Sequence, residues 1–431
     1  MSVPDEAGSL RLEAEGEVAL AVLALDDGEI GHAAGHAANA LGCDPTLPEA
    51  HEVLARVAAA AGDGALDLYP LDGQVYIGNV VARAHLLAAA GDLDQALGLL
   101  VAATRHDPAT AWASAAWLDR DGVAAQIPPD NLAAHFMRLC SGLSDPIDRD
   151  TRPALAPYLR LARDAVRAHP RDGRLLGAAS AFARRMGSPA EAIRWARRAT
   201  ELEPGLLSSI WLGYAYRTAG LVDEAVAAWE GSLAYEPKNC AVMTDIAELL
   251  ANNDRLPEAL AWIERAAAIN PRDPSAFPTA CALRYLDSGD VHHLVRLADH
   301  VRDHPGEAHA EGMLTGTCRK RDWLGGVPGT DTTWAHPVAA YDDALARPGT
   351  GRVWESLGLL HHRADEPWES STRRGELVAR LSDPDAETRE CALFALIVAA
   401  WVEPAVRADV AALVRHHADA PAALVRITPS A

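Results

Sequence analysis

Residues 206–239 have the sequence LLSSIWLGYAYRTAGLVDEAVAAWEGSLAYEPKN, in which two apolar runs flank a short turn at Gly220. In both runs apolar residues recur three and four positions apart, which is the spacing of an amphipathic helix. The second run ends at Pro237. Proline has no N–H and clashes with the preceding helical turn, so a helix must stop there. This stretch therefore predicts a helix–turn–helix unit.

Prolines recur at a nearly constant distance through the middle of the chain. Pro170, Pro204, Pro237, Pro271 and Pro305 are 34, 33, 34 and 34 residues apart. A fixed period of this length indicates helix pairs that bury their apolar faces against their neighbours. Such an array also accommodates 431 residues, too many for one ordinary core. We predict an all-α fold, an α-solenoid of helix–turn–helix repeats that forms a curved superhelix.

The repeat resembles the tetratricopeptide repeat. Leu212, Gly213 and Tyr216 stand on the first helix, Ala225 on the second and Pro237 at its end, as in that family's pattern. Small residues at these positions let the two helices of a pair approach closely, and large residues fill the space between them. The resemblance implies a scaffold that binds other macromolecules.

Further segments match this template with differing quality. The six predicted repeats are 14–47, 77–110, 173–206, 206–239, 240–273 and 274–307. A helix at about 48–61 lacks a regular partner. We predict five regions: N-terminal repeats in 1–117, an irregular helical connection in 118–150, the main array in 151–307, an irregular Trp- and His-containing segment in 308–373, and HEAT-like helices in 374–431.

The C-terminal region carries one motif of a different kind. LSDPDAETRECALFAL, residues 381–396, resembles a HEAT repeat through its Asp-Pro-Asp turn, Arg389 on the helix, and Ala392 and Leu396 on the core face. Asp385 is the expected N-cap. Because terminal repeats of an array are atypical, the alternative is a simple closing cap.

Charge and composition limit the partners. The formal net charge is -21, whereas proteins that bind nucleic acids or anionic lipids usually do so through a positively charged surface. We therefore expect neither nucleic acid nor membrane as a partner. The N-terminus lacks the basic start and apolar run of a signal peptide, which predicts a cytoplasmic location. Only Lys238 and Lys320 are lysines among 39 Lys and Arg residues, which is typical of a GC-rich bacterial genome.

Residues that could carry chemistry do not form a known pattern. Phosphate loops, dinucleotide fingerprints, nucleophile elbows and metalloprotease motifs are absent. The six cysteines are scattered, and His32 and His36 supply only half a metal site. We predict that the protein is not an enzyme and that it needs no metal or cofactor.

The resemblance also predicts a binding surface. In tetratricopeptide repeats, positions 2, 5, 9 and 12 of the first helix face a concave groove that usually binds peptides. The residues at these positions in the central repeats are Arg174, Arg184, Tyr214, Arg217, Thr244, Glu248 and Tyr285. Arginine and tyrosine are frequent at binding hot spots, and arginine pairs well with carboxylates. An acidic or C-terminal peptide segment is the expected ligand, although solvated surface arginines explain the same residues.

These observations favour an adaptor that holds a segment of a partner protein within a bacterial multi-protein complex. Two alternatives remain open. The chain could be a structural component that self-associates into a homo-oligomer, or an accessory subunit that regulates an enzyme through the segment 308–373. Because repeat scaffolds serve unrelated roles, the resemblance does not identify the partner.

Overall fold

The computed structural model describes residues 6–62, 64–288, 306–319, 372–384 and 404–415, together with single positions between 293 and 304 and at 368, 389, 392 and 396. Within these residues the regular secondary structure is helical, with no strand. The predicted all-α array of helix pairs is thereby confirmed. The chain divides into two compact units, Met1–Glu236 (unit 1) and Pro237–Ala431 (unit 2).

Unit 1 contains twelve α-helices among its described residues. They are α1 (Glu6–Asp26), α2 (Ile30–Cys43), α3 (Pro48–Ala61), α4 (Ile77–Ala89), α5 (Leu93–His106), α6 (Val123–Gln126), α7 (Pro129–Gly142), α8 (Arg152–Ala168), α9 (Gly173–Arg185), α10 (Pro189–Leu202), α11 (Leu206–Thr218) and α12 (Val222–Leu233). A 3-10 turn spans Ala65–Leu68.

Unit 2 begins with a regular helix pair. Its described helices are α13 (Cys240–Ala251), α14 (Leu256–Ile269), α15 (Ala276–Ser288), α16 (Ala308–Arg319), α17 (Thr372–Arg380) and α18 (Arg407–Val414). Helix α16 covers the first part of the segment predicted to be irregular, 308–373. Most of the remainder, including Trp323, Trp334 and Trp354, lies outside the described residues.

Five of the six predicted repeats are helix pairs whose members pack along each other: α1 with α2, α4 with α5, α9 with α10, α11 with α12, and α13 with α14. Side-chain N-caps fix where several of these helices begin. The Asp172 side chain accepts a hydrogen bond from the N–H of Leu175 in α9, and the Asn239 side chain accepts one from the N–H of Val242 in α13. The predicted unpaired helix at 48–61 is present as α3.

Glycines on the first helices determine how closely the helices of unit 1 approach. Gly177 on α9 lies under the ring of Trp211 on α11, and Gly213 on α11 lies under the ring of Trp229 on α12. A Cβ atom at either glycine would be well inside van der Waals contact with the indole ring. Trp229 is fully buried and its Nε1 donates to the Ile210 carbonyl at 3.3 Å. Large-on-small packing therefore joins α9, α11 and α12.

The predicted connection at 118–150 contains α6, α7 and all but the last residue of the loop that leads to α8. Helix α7 packs mainly on α9 and less on α5, and has little contact with α8. Phe136 of α7 stacks on Phe182 of α9, with ring centroids 5.9 Å apart. As a result α9 is covered on most sides, and Leu175 to Arg184 are all buried.

The C-terminal helices of unit 2 are held by a charged contact. Asp409 on α18 accepts hydrogen bonds from Arg374 of α17, at 2.8 and 2.9 Å, and from Trp368 Nε1 at 2.7 Å. Arg389 donates to the carbonyls of Asp383 and Pro384, while Ala392 and Leu396 are buried as predicted. The expected N-cap Asp385 lies outside the described residues, so the HEAT resemblance stays a prediction.

Two buried histidines lie in unit 1 between α3, α4 and the segment that follows α5. Trp117 Nε1 donates to His85 Nδ1 at 3.2 Å, and His51 bonds the Pro45 carbonyl at 2.9 Å. Burial, helped by the nearby His51 ring, lowers the pKa of His85 from 6.5 to about 4. His85 is therefore neutral in the folded protein at neutral pH.

Replacing Gly213 by alanine is expected to destabilise unit 1 by about 1–3 kcal/mol, because the added methyl group displaces the Trp229 ring. Thermal unfolding followed by circular dichroism measures the effect. Gly231 on α12 is the matched control, since nothing lies within 4 Å of its Cβ position. Gly231→Ala should be neutral or stabilising by up to about 1 kcal/mol. Equal effects of the two changes would contradict the packing described.

Stability should fall on acidification because of His85. The unfolded chain binds a proton at this side chain below its ordinary pKa, whereas the fold resists protonation down to about pH 4. The contribution of neutral His85 to the free energy of unfolding is thus fully present above the unfolded pKa and is lost as the pH falls below it. Between pH 7 and pH 5, the free energy of unfolding of His85→Gln should fall by about 2 kcal/mol less than that of the parent. Urea unfolding at both pH values tests this, with exposed His106→Gln as the control. An unchanged pH dependence in His85→Gln would contradict it.

Candidate partner-binding site

The contact between α9 and α11 places two arginines on one tyrosine ring. The Arg184 guanidinium lies 4.9 Å from the centroid of the Tyr214 ring, and the Arg217 guanidinium lies 4.8 Å from it. Trp229 supports the same ring edge-on, at 5.2 Å between centroids and 80° between planes. Cations near an aromatic face are attracted by its quadrupole. The ring and both charged groups thus hold each other in place.

A carboxylate from the loop between α7 and α8 completes this arrangement. Asp145 accepts two hydrogen bonds from Arg184, each 2.6 Å long, in a bidentate pair. Burial opposes the charge on Asp145, but the bonds from Arg184 and the fields of nearby arginines outweigh it and lower its pKa. The carboxylate is therefore ionised at neutral pH.

Arg185 lies beside the pair and anchors the loop. Its Nη1 donates to the carbonyls of Cys140 and Leu143, and its Nε lies 3.5 Å from an oxygen of Asp145. We refer to Asp145, Arg184, Arg185, Tyr214 and Arg217 as the Arg–Tyr cluster. It combines three positive charges with one negative charge, in a chain whose net charge is -21.

The remaining predicted groove residues lie elsewhere. Arg174 is on the same helix as Arg184 but ten residues away, about 15 Å along the helix axis. Its side chain is 66% exposed and pairs with the exposed Asp130 at 3.3 Å. An exposed pair of this kind contributes little to stability. Arg184, by contrast, is only 6% exposed in its side chain.

In unit 2 the predicted residues are mostly engaged in internal contacts. Thr244 is buried and bonds the Cys240 carbonyl at 2.9 Å, and Tyr285 is buried on α15. Glu248 accepts a hydrogen bond of 2.8 Å from Thr279 and lies 3.4 Å from His309 Nε2. Residues of unit 2 therefore offer little free side-chain surface at these positions.

Two members of the cluster, Asp145 and Arg185, were not predicted from the sequence. Asp145 lies in a loop outside the repeat period, and Arg185 follows the last groove position of α9. The only hint in the sequence is a series of acidic residues in that loop, among which nothing distinguishes Asp145.

Groups suited to other chemistry are not assembled in the part of the chain that the structure describes. Within it, no three His, Cys, Asp or Glu side chains are grouped so as to hold a metal ion. His32 bonds Glu29, and His36 bonds Glu17. Burial raises the pKa of the Cys140 thiol to about 11. None of the described helices has the length and apolarity needed to cross a bilayer.

Comparison with known proteins gives structural similarities only. No protein-family model matches the chain, and no curated protein matches it either. Among solved structures, a tetratricopeptide repeat protein from Parabacteroides merdae is 10% identical and aligns over 71% of this chain and 99% of its own, with a TM-score of 0.37. A thermophilic tetratricopeptide repeat protein from Thermus thermophilus is 20% identical and aligns over 55% of this chain and 99% of its own, with a TM-score of 0.26. YrrB, a tetratricopeptide repeat protein described as having an unusual peptide-binding site, is 16% identical. It aligns over 46% of this chain and 89% of its own, with a TM-score of 0.29.

Replacing Arg184 by methionine should raise the pKa of Asp145 toward its ordinary value, because the carboxylate loses its bidentate partner. A carboxyl-carbon NMR titration of Asp145 measures this change. Arg174→Met removes an arginine from the other end of α9 and should leave the Asp145 titration unaltered. If Arg184→Met also left it unaltered, the described pairing would be wrong.

Proposed function

We propose that the protein is a non-catalytic interaction scaffold and that unit 1 binds an acidic segment of a partner protein at the Arg–Tyr cluster. The observation that carries this proposal is the placement of Arg184 and Arg217 on the Tyr214 ring, with Arg185 beside the Asp145 carboxylate that Arg184 binds. In a chain of strongly negative net charge, a local excess of positive charge attracts an anionic ligand.

The chemistry of the cluster supports a carboxylate ligand. The guanidinium group of arginine presents a planar set of donors that matches a carboxylate, and it remains charged at any physiological pH. Tyr214 adds an apolar ring with a polar tip, a combination that is common in the energetically dominant part of interfaces. Arg217 and Tyr214 are both partly exposed, so a ligand can reach them.

The proposal rests on unit 1 alone. Among the predicted groove residues, Arg184, Tyr214 and Arg217 are close together, whereas Arg174 is at the far end of α9. In unit 2, Thr244 and Tyr285 are buried, so Glu248 is the predicted residue there that remains a candidate for a separate contact. A bacterial source, a cytoplasmic location and membership of a multi-protein complex are parts of the same proposal.

Self-association is the second candidate, and an exposed apolar face favours it. On α1, Leu12 is 70% exposed and Leu23 is 61% exposed, on the side of the helix opposite the buried Ala14 and Ala21. Exposed apolar side chains grouped on one face of a helix are a feature of surfaces that contact another protein. This surface would suit a homo-oligomer. The third alternative, regulation of an enzyme, depends on the segment 308–373, most of which lies outside the described residues.

Binding of a labelled hexaglutamate peptide tests the proposed site, with fluorescence anisotropy as the measurement and hexaglutamine as the uncharged probe. Arg217→Ala should weaken hexaglutamate binding about tenfold or more, because one charge-assisted contact is lost. Arg174→Ala, the matched control, should change it less than about twofold. Alanine at 174, 184 and 217 together should abolish binding while helical content is retained.

Two results would count against this function. Equal affinity for hexaglutamate and hexaglutamine would show that charge does not determine binding. Retention of full affinity in the triple alanine variant, with its helices intact by circular dichroism, would place the binding site outside the cluster.

A further inference from the structure

The loop between α7 and α8, residues 143–151, lies over the position of α9 at which a ligand is expected. Arg184 is a predicted groove residue, yet its side chain is 94% buried because this loop and the Tyr214 ring cover it. The loop itself is exposed at Ser144, Asp145 and Pro146. These three residues form a thin surface cover, and Ile147, which is 1% exposed, anchors the loop in the core beneath them.

Asp145 makes the contact that a ligand carboxylate would make. Its two oxygens accept from the two terminal nitrogens of Arg184, at 2.6 Å each, and one of them lies 3.5 Å from Arg185 Nε. This is the bidentate geometry by which arginine recognises a carboxylate in a partner. A side chain of the protein itself thus occupies the most strongly binding part of the cluster.

The loop is attached at few points. Ile147 is its buried residue, with its N–H donating to the Arg185 carbonyl at 3.1 Å and its carbonyl accepting from Arg152 at 2.9 Å. Arg185 also binds the carbonyl of Leu143 at the start of the loop. A segment with so few buried contacts opens at a small free-energy cost compared with the helices around it.

Asp145 also leaves part of the cluster unsatisfied. Among the described residues, Arg184 Nε and Arg185 Nε are buried donors without a hydrogen-bond acceptor. Buried donors normally have partners. A ligand with several carboxylates can supply more acceptors than the single side chain of Asp145.

We infer that Asp145 is an internal occupant of the Arg–Tyr cluster, and that an acidic partner segment must displace it to reach Arg184. This inference rests on the proposed function. It makes the loop 143–151 an autoinhibitory element: binding-competent molecules are the fraction in which the loop is open, and the apparent affinity is reduced by that fraction.

The test compares hexaglutamate binding to the full chain, to Asp145→Asn and to Asp148→Asn. Asp148 is an exposed acid of the same loop, so its replacement is matched in charge and location. Asp145→Asn is expected to bind about tenfold more tightly than the parent if the loop is open about one tenth of the time. Asp148→Asn should bind within about twofold of the parent.

The outcomes separate the two proposals. Tighter binding by Asp145→Asn alone supports the inference. Unchanged or weaker binding by a folded Asp145→Asn, while Arg217→Ala binds about tenfold more weakly than the parent, overturns the inference and leaves the binding site in place. If neither the parent nor Asp145→Asn binds hexaglutamate, the proposed function fails and the inference with it.

A second measurement on the unaltered chain decides the matter if Asp145→Asn does not fold. Hydrogen exchange of the Ile147 amide reports whether the loop stays attached, because this N–H donates to Arg185. Saturating hexaglutamate should make the exchange at least about fivefold faster if the loop is displaced. Exchange that is unchanged or slower in the presence of bound peptide would overturn the inference.

Discussion

The rest of unit 1 depends on the packing of an indole ring on a glycine. Trp211 covers Gly177, and Trp229 covers Gly213, so α9, α11 and α12 approach more closely than a methyl group would allow. Two consequences follow for the site. Arg184, two helical turns beyond Gly177, is brought onto the Tyr214 ring, and Trp229 supports that ring from its edge. The proposed binding surface is therefore positioned by contacts in the core, where side chains are closely packed and move little.

Within this framework, electrostatics determines which ligands suit the proposed surface. The protein as a whole is strongly acidic, but the Arg–Tyr cluster has a local excess of positive charge. The bidentate pair of Asp145 and Arg184 contributes less to net stability than its short bonds suggest, because two charges have been partly removed from water. A pair of this kind can be exchanged for a similar pair with a ligand. In the proposed site, one carboxylate thus couples stability to binding.

The repeat period made the helix pairs predictable, because each pair must bury the same face and must end before a proline. The Arg–Tyr cluster was only half predictable. Repeat positions identified Arg184, Tyr214 and Arg217, but Asp145 is 39 residues from Arg184 in an irregular loop, where no period constrains it. The same positions grouped Arg174 with Arg184, although ten residues of helix separate them.

The most direct test of the binding site is a crystal structure of the full chain with hexaglutamate bound. The predicted result is a peptide carboxylate within hydrogen-bond distance of Arg217 and Arg184, with the Asp145 side chain turned away from Arg184. A peptide bound at another surface, with the pair of Asp145 and Arg184 intact and no ligand beside Tyr214, would contradict the proposed role of the cluster.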